Sequence, residues 1–162
     1  MDRVWAPWRM EYVTNSTGSD GKCFLCVDKE DDEKALVIGR NHNAFIIMNR
    51  FPYTNGHVMV VPVRHVGSVE ELTDEETLDM MRLVKAMTSV MREEFNVGGL
   101  NIGMNIGRAA GAGLEDHCHI HIVPRWFGDT NFMTIVGETR VISEHISTTY
   151  EKLKRRFIAK FL

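Results

Sequence analysis

The densest chemistry in this chain lies in His117-Cys118-His119-Ile120-His121-Ile122-Val123. Histidine alternates with apolar residues at the strand period, so His117, His119 and His121 share one face while Cys118, Ile120 and Ile122 share the other. Same-face neighbours on a strand sit roughly 6.6 Å apart, at a rise of about 3.3 Å per residue. Imidazoles titrate near neutral pH. Three in a row against an apolar wall suit a nucleophile flanked by helpers, or a metal site. A His-x-His pair on a strand can grip one metal ion. Barrel-type sites of that kind add a carboxylate soon after the pair, whereas here Ile122, Val123 and Pro124 follow.

Three further stretches carry chemistry. Cys23-Phe24-Leu25-Cys26 has zinc-knuckle spacing, but zinc takes four ligands and this pair supplies two. A redox-active pair of the thioredoxin kind would open a helix after a βαβ strand, and none precedes it. Gly107-Arg108-Ala109-Ala110-Gly111-Ala112-Gly113 lies just before the histidines. It is neither a Walker A motif nor a dinucleotide fingerprint, yet glycines let backbone N–H groups approach an anion closely. Asn49 stands before a Pro-containing turn, in phase with Phe45 and Ile47.

The elements that must position these residues are readable from periodicity. Residues 36–39, 44–49 and 57–63 are rich in Ile and Val and predict three strands, joined by turns at 40–43 and 50–56. Thr73-Asp74-Glu75-Glu76 is a capping box. Met80, Val84, Met87, Met91 and Phe95 then recur at helical spacing as a core stripe, and Gly98-Gly99 is expected to end that helix. Residues 100–106 and 117–124 predict a fourth and a fifth strand. Ile146, Tyr150, Leu153, Phe157 and Phe161 give a C-terminal amphipathic helix. Hairpin-linked strands with helices between and after them make an α+β fold. The chain divides into an N-terminal aromatic segment and polar loop over 1–21 and a single domain over 22–162.

Composition narrows the class. The chain has 162 residues, 44% hydrophobic and 25% charged, as in an ordinary globular domain. No apolar run reaches the roughly 20 residues that a membrane span needs, and the N-terminus lacks the apolar core of a signal peptide. A net charge of -3 argues against a dedicated nucleic-acid binder. Three cysteines are no disulfide framework, so a reducing compartment, the cytoplasm, is expected.

With these residues in place, the chain resembles the histidine triad (HIT) superfamily of nucleotide hydrolases and transferases, whose signature is His-φ-His-φ-His-φ-φ with φ apolar. The resemblance runs from about Cys23 to the C-terminus. Trp5-Ala6-Pro7-Trp8-Arg9 and Val123-Pro124-Arg125-Trp126-Phe127-Gly128-Asp129-Thr130-Asn131-Phe132 look like the diadenosine tetraphosphate phosphorylase (ATP adenylyltransferase) branch. The resemblance implies a five-stranded antiparallel sheet crossed by a long helix, with a C-terminal helix, and a homodimer or higher homo-oligomer.

It also implies roles. His119 would attack an α-phosphorus and form a nucleotidyl-histidine, His121 would contact the phosphates and help the leaving group depart, and His117 would brace the site. Asn49 would hold the ribose, with Phe45 and Ile47 walling the base pocket or packing the core. Asn105 would sit at the site edge and Trp126 would stack on a base or pack the core. Some relatives carry a hydroxyl or amide beside the phosphates; here Gly111, Gly113 and Leu114 stand there, leaving backbone donors, with Arg108 as an extra cation. Relatives with the cysteine pair complete a structural zinc site with the His after Pro-x-Arg and the first triad histidine, here His65 and His117, joining Cys23 and Cys26. No organic cofactor is implied, and any magnesium would enter with the polyphosphate. The substrate would be an adenine nucleotide or dinucleoside polyphosphate, with phosphate as acceptor in a phosphorylase and water in a hydrolase. A phosphoramidate hydrolase, a non-catalytic nucleotide-binding module and a catalytic zinc centre are the alternatives.

Overall fold

In a computed structural model, which describes residues 23–130 and 142–161, five strands form one antiparallel sheet. They are β1 (Val37–Arg40), β2 (Ala44–Met48), β3 (Val58–Pro62), β4 (Gly99–Gly103) and β5 (Ile120–Arg125), in the spatial order β1-β2-β3-β5-β4. Short hairpin connections join β1 to β2 and β2 to β3. A long connection that carries the main helix joins β3 to β4, and a glycine-rich loop joins β4 to β5. The expected α+β, HIT-like architecture is therefore the observed one. The segment 1–21 lies outside the described residues.

Among the described residues, three α-helices accompany the sheet: α1 (Asp32–Ala35), α2 (Asp74–Phe95) and α3 (Ile146–Phe161). The capping box at the start of α2 is formed in both directions: the Glu76 N–H donates to Thr73 Oγ1 at 3.2 Å and the Thr73 N–H to Glu76 Oε2 at 2.9 Å. Arg64 fastens that carboxylate from β3's end with two 2.8 Å bonds and holds the Glu76 pKa down to about 2. The helix stops at Phe95, because Asn96 adopts the left-handed conformation (φ 46°). Asn is the non-glycine residue that enters this region most cheaply. Of the expected terminator, Gly98-Gly99, the second glycine instead opens β4.

The stripe Met80, Val84, Met87 and Met91 is buried, as its periodicity requires, against Ile46, Met48, Val58, Val60, Ile120 and Ile122. Helix α3 lies beside α2 and against β1, burying Tyr150, Leu153 and Phe157. The strand register slips between Val37 and Gly39, and the Phe157 ring lies on Gly39 so closely that a Cβ there would overlap it at 2.3 Å. Phe161, expected on the apolar stripe, is 44% exposed. No helix among the described residues is long and apolar enough to cross a membrane.

The opposite face of the sheet carries a smaller cluster of Leu25, Val37, Phe45, Ile47, Met59, Val61 and Leu114. The histidines project on this face, and its partial cover comes from residues near Cys23–Val27 and from the loop before β5.

Candidate active site

The fifth strand begins later than its alternation suggests. Only Ile120–Arg125 pairs in the ladder; His117 lies in a bend, and Cys118 and His119 precede the strand without ladder pairing. The cause is at the end of β3. Pro62 has no N–H to donate, and its carbonyl is taken by the His117 side chain, whose Nε2–H donates to it at 2.9 Å. The Cys118 N–H bonds instead to the Val66 carbonyl at 2.7 Å. The three histidines consequently do not form an even row. His119 and His121 meet edge to face with ring centroids 4.7 Å apart, while His117 turns toward the cysteines.

At that turn, the Nδ1 of His117 lies 3.4 Å from Cys23 Sγ, and the Nδ1 of His65 lies 3.2 Å from Cys26 Sγ. The ligand atoms of Cys23, Cys26, His65 and His117 all fall within 4.8 Å of one another. Two thiols and two imidazole nitrogens in that space match the tetrahedral donor set of structural zinc. The Nε2–H of His117 is anchored on a backbone carbonyl, which fixes the tautomer that presents Nδ1. Burial lowers the His117 pKa to about 4 and raises the Cys23 thiol to about 11. The imidazole is thus neutral, the form that ligates, and the thiol ionises only beside a cation.

His119 is 4% exposed. Its Nδ1 lies 2.9 Å from the His117 carbonyl, which can only accept, so Nδ1 carries the proton and Nε2 keeps its lone pair. Burial lowers its pKa, favouring the neutral ring.

A fourth histidine, His57, completes the set and was not singled out by the sequence. It is fully buried at the entry to β3. The Tyr53 N–H donates to its Nδ1 at 3.1 Å, and Asn49 Nδ2 does so at 3.3 Å. Nδ1 is therefore the acceptor, and the proton sits on Nε2, which lies 3.0 Å from His121 Nδ1. His121 accepts there and carries its own proton on Nε2. Burial first, then repulsion from His121 and His119, drives the His57 pKa down to about 3. The relay is uncharged throughout. Its sequence signal was the two-residue phase of His57, Met59 and Val61, but nothing local announced that β3 would lie beside β5.

Beyond His121 opens a cavity of about 580 Å³ between β4, β5 and the turn before β3. Of the residues expected to touch nucleotide, Asn105, His121 and Trp126 line it. The Trp126 Nε1–H is tied to the Phe95 carbonyl at 3.2 Å. Phe45 and Ile47 do not line it: at 1% and 5% exposed they pack in the cluster around Leu25 and Leu114. Asn49 is 8% exposed, and its Oδ1 accepts the Phe51 N–H at 2.9 Å. Gly111 and Gly113 sit in the loop outside the cavity wall, where Gly107 and Gly111 take positive φ (77° and 85°) around a short turn. Arg108 leans on Glu115 at 3.0 Å, with its side chain 91% exposed.

Comparison with known proteins agrees with this geometry. The HIT domain model matches residues 30–128. The AP-4-A phosphorylase of Mycobacterium tuberculosis (strain CDC 1551 / Oshkosh) is 37% identical over 157 residues, 92% of this chain and 80% of that protein. The Bis(5'-adenosyl)-triphosphatase of Dictyostelium discoideum is 40% identical over 82 residues, 51% of this chain and 54% of that protein. Among solved structures, a Zn-bound histidine triad family protein from Mycobacterium smegmatis superposes with a TM-score of 0.70 at 26% identity, covering 85% of this chain and 94% of that one. With a matched domain spanning most of the chain and containing the triad, the chain belongs to the HIT domain family.

Proposed function

We propose that this protein is a nucleotidyl transferase that cleaves adenine dinucleoside polyphosphates, such as diadenosine tetraphosphate, with phosphate as acceptor. The observation that carries the reading is the pair of opposite tautomers side by side. His119 offers a bare Nε2, and His121 offers a protonated one. A nucleophile beside a hydrogen-bond donor aimed at the developing charge is what displacement at phosphorus needs. The relative named AP-4-A phosphorylase supports the substrate class.

In the proposed sequence the His119 Nε2 lone pair forms a bond to the α-phosphorus. The bond from that phosphorus to the bridging oxygen breaks, and the leaving oxygen departs as a phosphate anion that accepts a hydrogen bond from the His121 Nε2–H. The cationic adduct keeps its Nδ1–H on the His117 carbonyl. An oxyanion of inorganic phosphate then attacks the same phosphorus, its bond to His119 Nε2 breaks, and His119 leaves as the neutral imidazole with its Nδ1–H still on the His117 carbonyl. Diadenosine tetraphosphate would thus leave as ATP and ADP. The backbone of Gly111 and Gly113 and the Asn105 amide would cradle the phosphates, and Asn49 would approach the ribose. Any magnesium would arrive on the polyphosphate.

Cys23, Cys26, His65 and His117 would hold a zinc ion. With four protein ligands it has no open position, so its contribution is to fix the segment that carries the nucleophile. The exposed edge strand β4 is suited to sheet extension in a homodimer, and the free thiols to a cytoplasmic setting.

The test is to incubate the protein with diadenosine tetraphosphate, with and without inorganic phosphate, and separate the products. ATP and ADP formed only with phosphate are expected. AMP release without phosphate would make it a hydrolase, and absence of turnover in both would leave a binding module.

A further inference from the structure

The strand register lays the histidine face out as a grid. Ile47, Met59, His121 and Gly103 form one row across β2, β3, β5 and β4. Val123 and Asn101 pair in the next row on the β5–β4 side. The cavity beyond His121 occupies this corner, on the flank of the histidines opposite Asn49 and β2. Its wall includes Tyr53, Asn101, Gly103, Val123, Arg125 and Trp126.

Two features define what it would take. The first is charge. Arg125 is spoken for by Asp129 through bonds of 2.6 and 2.8 Å, and its Nη1–H donates to Asn101 Oδ1 at 2.9 Å. The corner is therefore neutral in net charge, with two aromatic rings and amide edges, a wall for a flat polar heterocycle rather than for further phosphates. The second is space. Gly103 stands directly across from His121, and a Cβ there would meet nothing within 4 Å. Its backbone is ordinary strand, so the absent side chain serves the volume and not the conformation.

Phosphoryl displacement runs in line, so the leaving group departs on the side away from the nucleophile. From His119, strand β5 runs past His121 toward Val123 and Arg125, into this corner. We infer that the cavity is the subsite for the second nucleoside of a dinucleoside polyphosphate, the one that leaves, and that Gly103 keeps it open. The inference rests on the nucleotidyl-transfer reading above and adds the determinant that distinguishes dinucleotides from mononucleotides.

The test compares diadenosine tetraphosphate with adenosine 5′-tetraphosphate, which keeps the phosphate chain and lacks only the second nucleoside. The wild-type kcat/KM should favour the dinucleotide at least tenfold. Gly103→Phe, which fills the corner, should cut that preference at least tenfold, chiefly through KM for the dinucleotide. Asn101→Leu, at an exposed edge position, makes the same comparison if the first variant folds poorly. Equal handling of both substrates by the wild type, or a preference unchanged in the folded variants, would overturn the inference while leaving the chemistry of His119 intact. Absence of turnover on either substrate would instead remove the enzymatic reading, and this inference with it.

Discussion

The two ends of the histidine run are held by different physics. At one end His117 is clamped by a backbone carbonyl and faces two thiols and a second imidazole, a donor set for a metal. At the other, His121 is held by one neutral imidazole, His57, which is fixed by a backbone N–H and an amide. Both ends lean on β3: Pro62 closes that strand, and His57 immediately precedes it. Its five residues act as the spacer that sets the two anchors apart. The metal end joins residues distant in sequence, so it should govern stability. The relay end sets where protons sit, so it should govern rate. Between them, His119 depends on both.

Removing that middle residue should have the largest effect. His119→Ala is expected to lower turnover about 10⁴-fold or more, since in the proposed mechanism no neighbour can replace the nucleophile. The variant should keep the proposed zinc, read by elemental analysis, and its fold, read by circular dichroism. His57→Asn breaks the relay alone. We expect kcat to fall about 10²-fold, the usual scale for a displaced transition-state hydrogen-bond donor, with the content of the proposed zinc unchanged. Equal losses of metal and rate would show that the two ends are not separable.

Cys23→Ser, or chelation, attacks the other end. Loss of a structural metal costs several kcal/mol, and for a chain of this size each kcal/mol shifts Tm by about 2–4 °C. A drop of roughly 10 °C is expected, with kcat per folded molecule changed less than tenfold; a pure loss of rate without a change in Tm would assign the metal to catalysis. The smallest effect is on acid stability. His57 has a folded pKa of about 3, lowered mainly by burial. The unfolded chain binds a proton below about pH 6.5 that the folded chain refuses. Its stabilisation is therefore complete above pH 6.5 and declines by up to about 1.4 kcal/mol per pH unit as the pH falls toward 3. Urea titrations between pH 7 and 4 should show a shallower decline in His57→Asn than in the wild type.

Much of this molecule was legible in its local patterns. The α2 capping box and the Met stripe named their own partners, because helix contacts recur within four residues. The alternation at 117–124 marked the histidine face, although the ladder begins only at Ile120. Pro62, which ends the pairing, lies on another strand, so no local pattern could announce it. The stop of α2 at Asn96 was missed for a different reason: a left-handed cap is cheap enough for Asn that a following Gly pair is not required.

The chain alone determined which residues could do chemistry, the order of strands and helices, and the family resemblance, all consequences of side-chain type and short-range period. Only the tertiary structure decided which nitrogens carry protons, because those assignments depend on donors from other strands: Tyr53 and Asn49 on His57, and His57 on His121. It also decided that Phe45 and Ile47 pack under Leu25 and Leu114 rather than line the open cavity, and that Gly103 stands across from His121. Register between strands is set by how whole faces bury together, and no single stretch of sequence contains that information.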